Sequence, residues 1–444
     1  MAKPTTAKAI ARERRGWYLY DFANSAFATT AIALFLGPYL TSLAKAAAGA
    51  DGFVHPLGIK VDPRSYWSYM VSLSVGVQVL TLPVVGAIAD YGRRKKQVLA
   101  ATAYVGATAS AAMFFLTGAD YLLGGGLFLI ANVAFGASLV IYYSFLPEIA
   151  SPEERDAVSS KGWGIGYVGG GLLLALNLLL YQEASRFGIT EAMAVRISLS
   201  SAGVWWGVFT VPTLLALRNR GHAKIVPEGR SAIGVVFGQL KHTLRDVRRY
   251  PEAMTFLIAY LLYNDAIEAV LALVTQFGND ELKIPVSKLT VAILMAQFIG
   301  FFGTMLFQRV AQAIGAKRTV AITIVVWALV LIYIYAAVKT AGEFFAVIAI
   351  GALIMGGSQA LSRSLYAQLI PKGREAEYYS IYEVSDKGSS WLCPMLFGLA
   401  LQFTGSYRLA LLSLIVFFLA GLFVLLRVDV AKGEREVEIQ TPVI

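Results

Sequence analysis

The chain has little of what soluble catalysts carry. Of its 444 residues, one is a cysteine and three are histidines. A single cysteine excludes an intrachain disulfide. Cys393 lies in an apolar run beside Pro394, the setting of a buried packing thiol. His55, His222 and His242 fall outside the apolar runs and far from one another, which argues against both a metal set and a catalytic triad. The sequence has no GxxxxGK[ST] loop, so nucleotide-driven work would need a separate subunit. No enzymatic activity, cofactor or metal is expected. Charged residues are scarce too, at 15%.

What the chain has in excess is apolar surface: 57% of its residues are hydrophobic and its mean hydropathy is +0.63. A soluble core could not absorb that much, so the composition is that of an integral membrane protein. A span needs about 20 apolar residues. Runs near 17–44, 66–90, 97–117, 121–146, 159–181 and 196–217 meet this, as do 251–276, 287–309, 318–338, 343–366, 380–403 and 407–427. The expected fold is therefore all-α, with twelve transmembrane helices. The first run is preceded by basic residues and followed by Ala44-Lys-Ala-Ala-Ala48, as in a leader. A signal peptide's apolar core of about 7–15 residues would not hold Asp21 and Asn24, however, so this helix is expected to be retained.

The net charge of +10 is a topology signal. Lys3, Lys8, Arg12, Arg14 and Arg15 precede the first run, Arg93, Arg94, Lys95 and Lys96 follow the second, and a third basic cluster separates the sixth from the seventh. Alternate loops, such as that of Asp120, carry few basic residues. By the positive-inside rule both termini are cytoplasmic. Nucleic acid is not an expected partner; membrane lipid is.

Residues 218–250 interrupt the apolar rhythm and predict three regions: a bundle over 1–217, a cytoplasmic linker over 218–250 and a second bundle over 251–444. In the linker, Ile233, Val236, Phe237, Leu240, Leu244 and Val247 recur at helical spacing opposite Lys241, His242, Arg245, Arg248 and Arg249. This reads as an amphipathic helix on the anionic leaflet, with partner binding as the alternative. The halves also echo each other. Phe145-Leu-Pro-Glu-Ile149 followed by Ser160-Lys-Gly-Trp163 parallels Gln368-Leu-Ile-Pro371 followed by Asp386-Lys-Gly-Ser389, and Tyr20-Asp21 is answered by Tyr263-Asn-Asp265. Duplication of a six-helix unit is the simplest account.

The chemistry lies in charges placed where lipid should be. An ionised carboxylate at the bilayer centre costs at least about 2.5–3.5 kcal/mol, so Asp21, Asp265 and Glu268 are functional candidates. Asp21, Asn24, Ser25 and Ala28 share one face of the first helix; Asn264, Asp265 and Glu268, beside Tyr263, share one of the seventh. Facing each other, they would form a wet acidic cavity fit for a proton relay or a solute's amino group. Structural pairing with Arg363 is the competing reading. In Gly356-Gly-Ser-Gln-Ala-Leu-Ser-Arg-Ser364, Gln359 and Arg363 share a face. Arg363 suits a substrate carboxylate, or a gate pairing with Glu148, Glu383 or Asp386. Gly162, Gly166 and Gly170 form a close-packing ridge. Tyr142, Tyr143 and Trp163 either stack on a ligand or anchor the membrane interface. In Gly86-Ala-Ile-Ala-Asp-Tyr-Gly-Arg-Arg-Lys-Lys96, Asp90 and Arg93 suggest a conformational latch, and Arg155, Lys161 and Lys387 join them as gate or latch candidates.

Together these blocks resemble the major facilitator superfamily and, within it, the vacuole effluxer family, which includes an autophagy-related amino acid exporter of yeast vacuoles. The resemblance rests on Trp17-Tyr-Leu-Tyr-Asp-Phe-Ala-Asn-Ser25, Lys161-Gly-Trp-Gly-Ile-Gly-Tyr167, Leu262-Tyr-Asn-Asp265 and Gly356–Ser364, which span nearly the whole chain. The superfamily's loop pattern, Gly-x-x-x-Asp-Arg-x-Gly-Arg-Arg, is met imperfectly: Asp90-Tyr-Gly-Arg-Arg94 is one residue shorter and carries Tyr91 in the first basic place, while the second half retains only Gly315-Ala-Lys-Arg318. The resemblance implies two pseudo-symmetric six-helix bundles that rock about a central site, and efflux of amino acids or similar polar solutes. A proton-coupled secondary carrier, monomeric and in the plasma membrane of a bacterium, is the first expectation. A carrier or flippase of an amphiphile such as a lysophospholipid or drug is the second, and a non-transporting receptor or scaffold the third.

Overall fold

The computed structural model describes residues 7–91, 95–150, 155–219, 250–370, 382 and 390–440. The expected linker helix, and Arg93, Glu383, Asp386 and Lys387, lie outside the described residues. Among those described, the protein is helical apart from one isolated bridge between Val54 and Val61. Among the described residues, ten helices are long and apolar enough to cross a membrane. Two further helices, Tyr66–Tyr91 and the shorter Leu392–Thr404, coincide with the second and eleventh apolar runs.

The chain divides into two compact units, residues 1–63 with 73–236 and residues 64–72 with 237–444. In the first, α1 (Ala7–Ala26) passes into a π-helical stretch, Phe27–Phe35, and then α2 (Leu36–Ala47). There follow α3 (Tyr66–Tyr91), which belongs to this unit from Leu73 on, α4 (Lys95–Ala112), α5 (Tyr121–Tyr143), the single turn α6 (Leu146–Ile149), α7 (Arg155–Gln182) and α8 (Glu191–Ala216). The first helix therefore starts ten residues before the apolar run that announces it. Its basic lead-in is held by the protein: Glu13 is buried 3.9 Å from Arg218 Nε, and Arg14 Nε donates to the Ile149 carbonyl at 2.7 Å. Helix α1 packs on α7 and α8, and α4 on α5 and α8. The Trp206 ring fills this core, stacked on Phe27 at 5.7 Å and edge-on to Phe135 at 5.8 Å.

The second unit contains α9 (Pro251–Asp280), α10 (Val286–Ile314), α11 (Ala316–Ala336), α12 (Ala341–Gln368), α13 (Leu392–Thr404), α14 (Tyr407–Ser413), α15 (Ile415–Arg427) and α16 (Val430–Gln440). Local chemistry fixes several ends. Thr340 and Glu343 form a capping box at the start of α12, and Ser406 caps α14. Gly405 ends α13 in the left-handed conformation at φ 67°. Helices α10 and α12 pack closely, with Gly303 against the Leu353 backbone, as expected where lipid supplies no hydrophobic drive between helices and small residues permit contact.

Helix α16 is tied back to the start of α9. Glu252, itself buried, accepts from the Asp429 backbone N–H at 2.8 Å and from Lys432 Nζ at 2.7 Å, which holds α16 in place. Lys317 Nζ donates to the carbonyls of Leu426 at 2.9 Å and Val428 at 2.6 Å, satisfying acceptors that the end of α15 would leave open.

Candidate functional site

In the first unit the candidate residues converge on the Asp21 carboxylate. Only 8% of Asp21 is exposed, and its Oδ2 accepts a 2.6 Å hydrogen bond from the Tyr142 hydroxyl. This is the length of a charge-assisted O–H···O⁻ bond. Tyr142 is fully buried and gripped from both sides. Trp17 stacks on its ring at 4.4 Å and donates Nε1–H to its carbonyl at 3.0 Å, while Tyr20 lies against it at 4.9 Å. Tyr142 therefore positions the carboxylate, a role its place at a helix end did not disclose. Among the described residues no cationic group pairs with Asp21.

One turn on, Asn24 is 3% exposed and its Nδ2 has no hydrogen-bond acceptor among the described residues. Leaving such a donor unsatisfied costs about 1–3 kcal/mol, and native structures keep few of them. Ser25 is half-buried on the same face. Helix α7 covers this face with its glycines: a Cβ on Gly162 would stand 2.5 Å from Asp21 Oδ2 and 2.7 Å from the Trp17 ring, and one on Gly166 would stand 2.7 Å from Ser25 Oγ. The ridge packs helix on helix, as its spacing predicts, and also leaves room for the carboxylate. Lys161 Nζ sits 5.4 Å from the Tyr18 ring. Trp163 lies on α7, its side chain outside the described set.

In the second unit, Tyr263, Asn264 and Asp265 are all buried on α9. The Tyr263 hydroxyl lies 2.5 Å from Ser362 Oγ of α12. Asp265 is 2% exposed and lies beside the Cys393 thiol on α13. Glu268 is exposed within this unit and accepts from Gln359 Nε2 at 2.9 Å. Helical spacing pairs Gln359 with Arg363 by face; its observed partner is this carboxylate. Arg363 is on α12, with its side chain outside the description. Sequence reasoning missed an aromatic stack beside these groups, in which Tyr382 lies 4.2 Å from Tyr260 and 5.3 Å from Tyr366. Only a run of tyrosines three apart on α9 hinted at it. The two units share a plan: a buried acid on the first long helix, and a tyrosine that ties that helix to another by its hydroxyl.

Of the gate candidates, Glu148 is bound within the first unit. Lys95 Nζ meets its Oε1 at 2.8 Å, and both side chains are 16% exposed. Asp90 lies near the end of α3 and Arg155 begins α7; neither side chain is described.

A family model described as "Vacuole effluxer Atg22 like" matches residues 10–438. The chain is 27% identical over 423 residues to an "Uncharacterized MFS-type transporter YxiO" of Bacillus subtilis (strain 168), covering 94% of this chain and 95% of that one. It is 26% identical over 542 residues to "Autophagy-related protein 22-1" of Penicillium rubens, covering 96% and 91%. Among solved structures, a mutant of the nucleoside transporter NupG aligns with a TM-score of 0.66 at 14% identity, covering 96% of this chain and 99% of that one. The inward-open xylose transporter XylE from E. coli aligns at 0.63 and 12%, covering 98% and 99%. An all-helical chain with buried acids on long apolar helices and this fold is an integral membrane transporter of the major facilitator type. It belongs to the Atg22-like vacuole effluxer family.

Proposed function

We propose that the protein is a secondary active carrier that exports a small polar solute, amino-acid-like in its charges, by alternating access coupled to protons. The observation that carries this reading is the buried Asp21 carboxylate on its Tyr142 donor, beside the unsatisfied Asn24 amide. A carboxylate with a neutral donor and, among the described residues, no cationic partner can be neutralised by a proton or by a solute ammonium group. Exchange of one for the other is the coupling step. Asp265 and Glu268 are the corresponding acids of the second unit, and Arg363 serves a solute carboxylate or the gate. Asp90, Arg93, Arg155, Lys161, Glu383, Asp386 and Lys387, with Glu148, belong in this reading to the latches that open and close the path.

The same proposal takes the helices as twelve spans in two six-helix halves, 1–217 and 251–444, joined by residues 218–250. Both termini are cytoplasmic, and the carrier is a monomer in a plasma membrane. Positive-inside charge supports the orientation. The full-length match to a bacterial relative supports the location, while the family's fungal members carry the name of vacuole effluxers.

The test is flux in proteoliposomes under an imposed pH gradient, with amino acids, dipeptides and lysophospholipids as candidate solutes. Asp21→Asn is expected to fold and to lose proton-coupled flux. Unchanged coupling in that variant removes Asp21 from the mechanism, and transport of lysophospholipid alone replaces the polar-solute reading with the amphiphile carrier.

A further inference from the structure

The second unit contains an open cavity of about 940 Å³ apart from the buried acids. It is walled by the last turn of α10, the first of α11, the end of α12 and the chain leaving α15, all at one edge of the helical unit. Its volume lies in the range of small-molecule sites, about 300–1,000 Å³. Its lining joins two chemistries. Lys317, Arg318 and Arg427 supply three cations against one acid, Asp429, whose carboxylate already caps the Lys432 N–H at 3.0 Å. Ile314 and Leu426 supply an apolar rim, 38% and 58% exposed within this unit.

The cations differ in how they are held. Lys317 is fixed by its two carbonyl acceptors. Arg427 lies over the Phe423 ring at 4.0 Å, and Arg318 is exposed; among the described residues neither guanidinium meets a carboxylate. Two forked donors, a fixed ammonium and an apolar rim at the end of membrane-crossing helices match a phosphate diester on an acyl chain. Basic pockets between transmembrane helices at the headgroup level are a known form of lipid recognition.

We propose that this cavity binds the headgroup phosphate of an anionic glycerophospholipid, with Arg318 and Arg427 as its phosphate ligands and Ile314 and Leu426 against the first acyl carbons. The site shares none of its named residues with the solute path proposed above and stands or falls separately from it.

The test uses the full-length protein, delipidated in detergent and titrated with phosphatidylglycerol, phosphatidylcholine or inorganic phosphate, and read by native mass spectrometry and melting temperature. Phosphatidylglycerol is expected to be retained and to stabilise the protein well beyond phosphatidylcholine. At roughly 1 kcal/mol per basic residue near an anionic surface, the Arg318→Gln, Arg427→Gln variant should retain it roughly thirtyfold less well, and the Arg318→Lys, Arg427→Lys variant should recover part of the loss. Equal stabilisation by the two lipids, or undiminished retention in the glutamine variant, overturns the proposal. Saturation by inorganic phosphate with no further gain from phosphatidylglycerol overturns the lipid assignment in favour of a soluble anion.

Discussion

Replacing Gly162 by alanine adds one methyl group at the most crowded point of the candidate site. That methyl would stand 2.5 Å from Asp21 Oδ2 and 2.7 Å from the Trp17 ring. Neither neighbour can step aside alone, because Asp21 is held by the Tyr142 hydroxyl and Trp17 is stacked on Tyr142 and bonded to its carbonyl. Overpacking of this kind costs about 1–3 kcal/mol. Displacing the carboxylate from its donor adds about 1.5–3 kcal/mol, and alanine's better helix propensity returns about 0.5–1 kcal/mol. The net loss is roughly 1.5–5.5 kcal/mol. Gly164 and Gly171 lie on the same helix, and a Cβ on either meets nothing within 4 Å. Gly164→Ala and Gly171→Ala should therefore melt at or above the wild-type temperature in detergent, while Gly162→Ala melts below it and transports poorly. If Gly162→Ala melts with the two controls and transports normally, the Asp21–Tyr142 arrangement is not the working geometry.

Tyr142→Phe keeps the ring stack and removes only the donor, so the protein should fold, lose about 1.5–3 kcal/mol of stability and move solute more slowly in proteoliposomes. Lys95→Met removes the 2.8 Å hydrogen bond to the Glu148 carboxylate and should cost about 1.5–3 kcal/mol in chemical unfolding, part of it recovered in the double variant Lys95→Met, Glu148→Gln. Gly303→Ala drives a methyl into the Leu353 carbonyl and should lower stability by about 1–3 kcal/mol, read as the melting temperature. Lys432 is held above the ordinary lysine range by its hydrogen bond and charge contact with Glu252. Its contribution to holding α16 is present at neutral pH and is lost as pH rises through that raised value. A dye on Glu434→Cys should report release at strongly alkaline pH, and release already at pH 7 when Lys432→Met is added.

The membrane class, the positions of the long helices and the acids on α1 and α9 were all legible in the sequence, because a charge inside a 20-residue apolar run is conspicuous in one dimension. Partners were not. Helical spacing fixes which residues share a face but not what that face meets, so Gln359 was read with Arg363 and is found on Glu268. Tyr142 reads in sequence as a ligand contact or an interface anchor; it is a buried donor to Asp21, a relation 121 residues distant in sequence. Cys393 does pack in the interior, as its apolar surroundings indicated, but no pattern in its own helix signals Asp265 beside it. The basic lead-in before residue 17 reads in sequence as a topology signal alone, yet Glu13, its one acid, and Arg14 both bind it into the fold.

The π-helical stretch at Phe27–Phe35 begins two residues after Ser25 and runs for nine residues. A π turn closes its hydrogen bond one residue later than an α turn, so the same length of chain makes fewer revolutions. The helix therefore carries slack in its winding just beyond the acidic face. Loss of a single residue there would tighten the stretch toward α geometry while Asp21 and the residues beyond Leu36 kept their bearings, whereas the same deletion in an evenly wound helix would turn everything after it by roughly 100°. In related chains, a one-residue gap in the first span should be tolerated between positions 27 and 35 and at few other places along it.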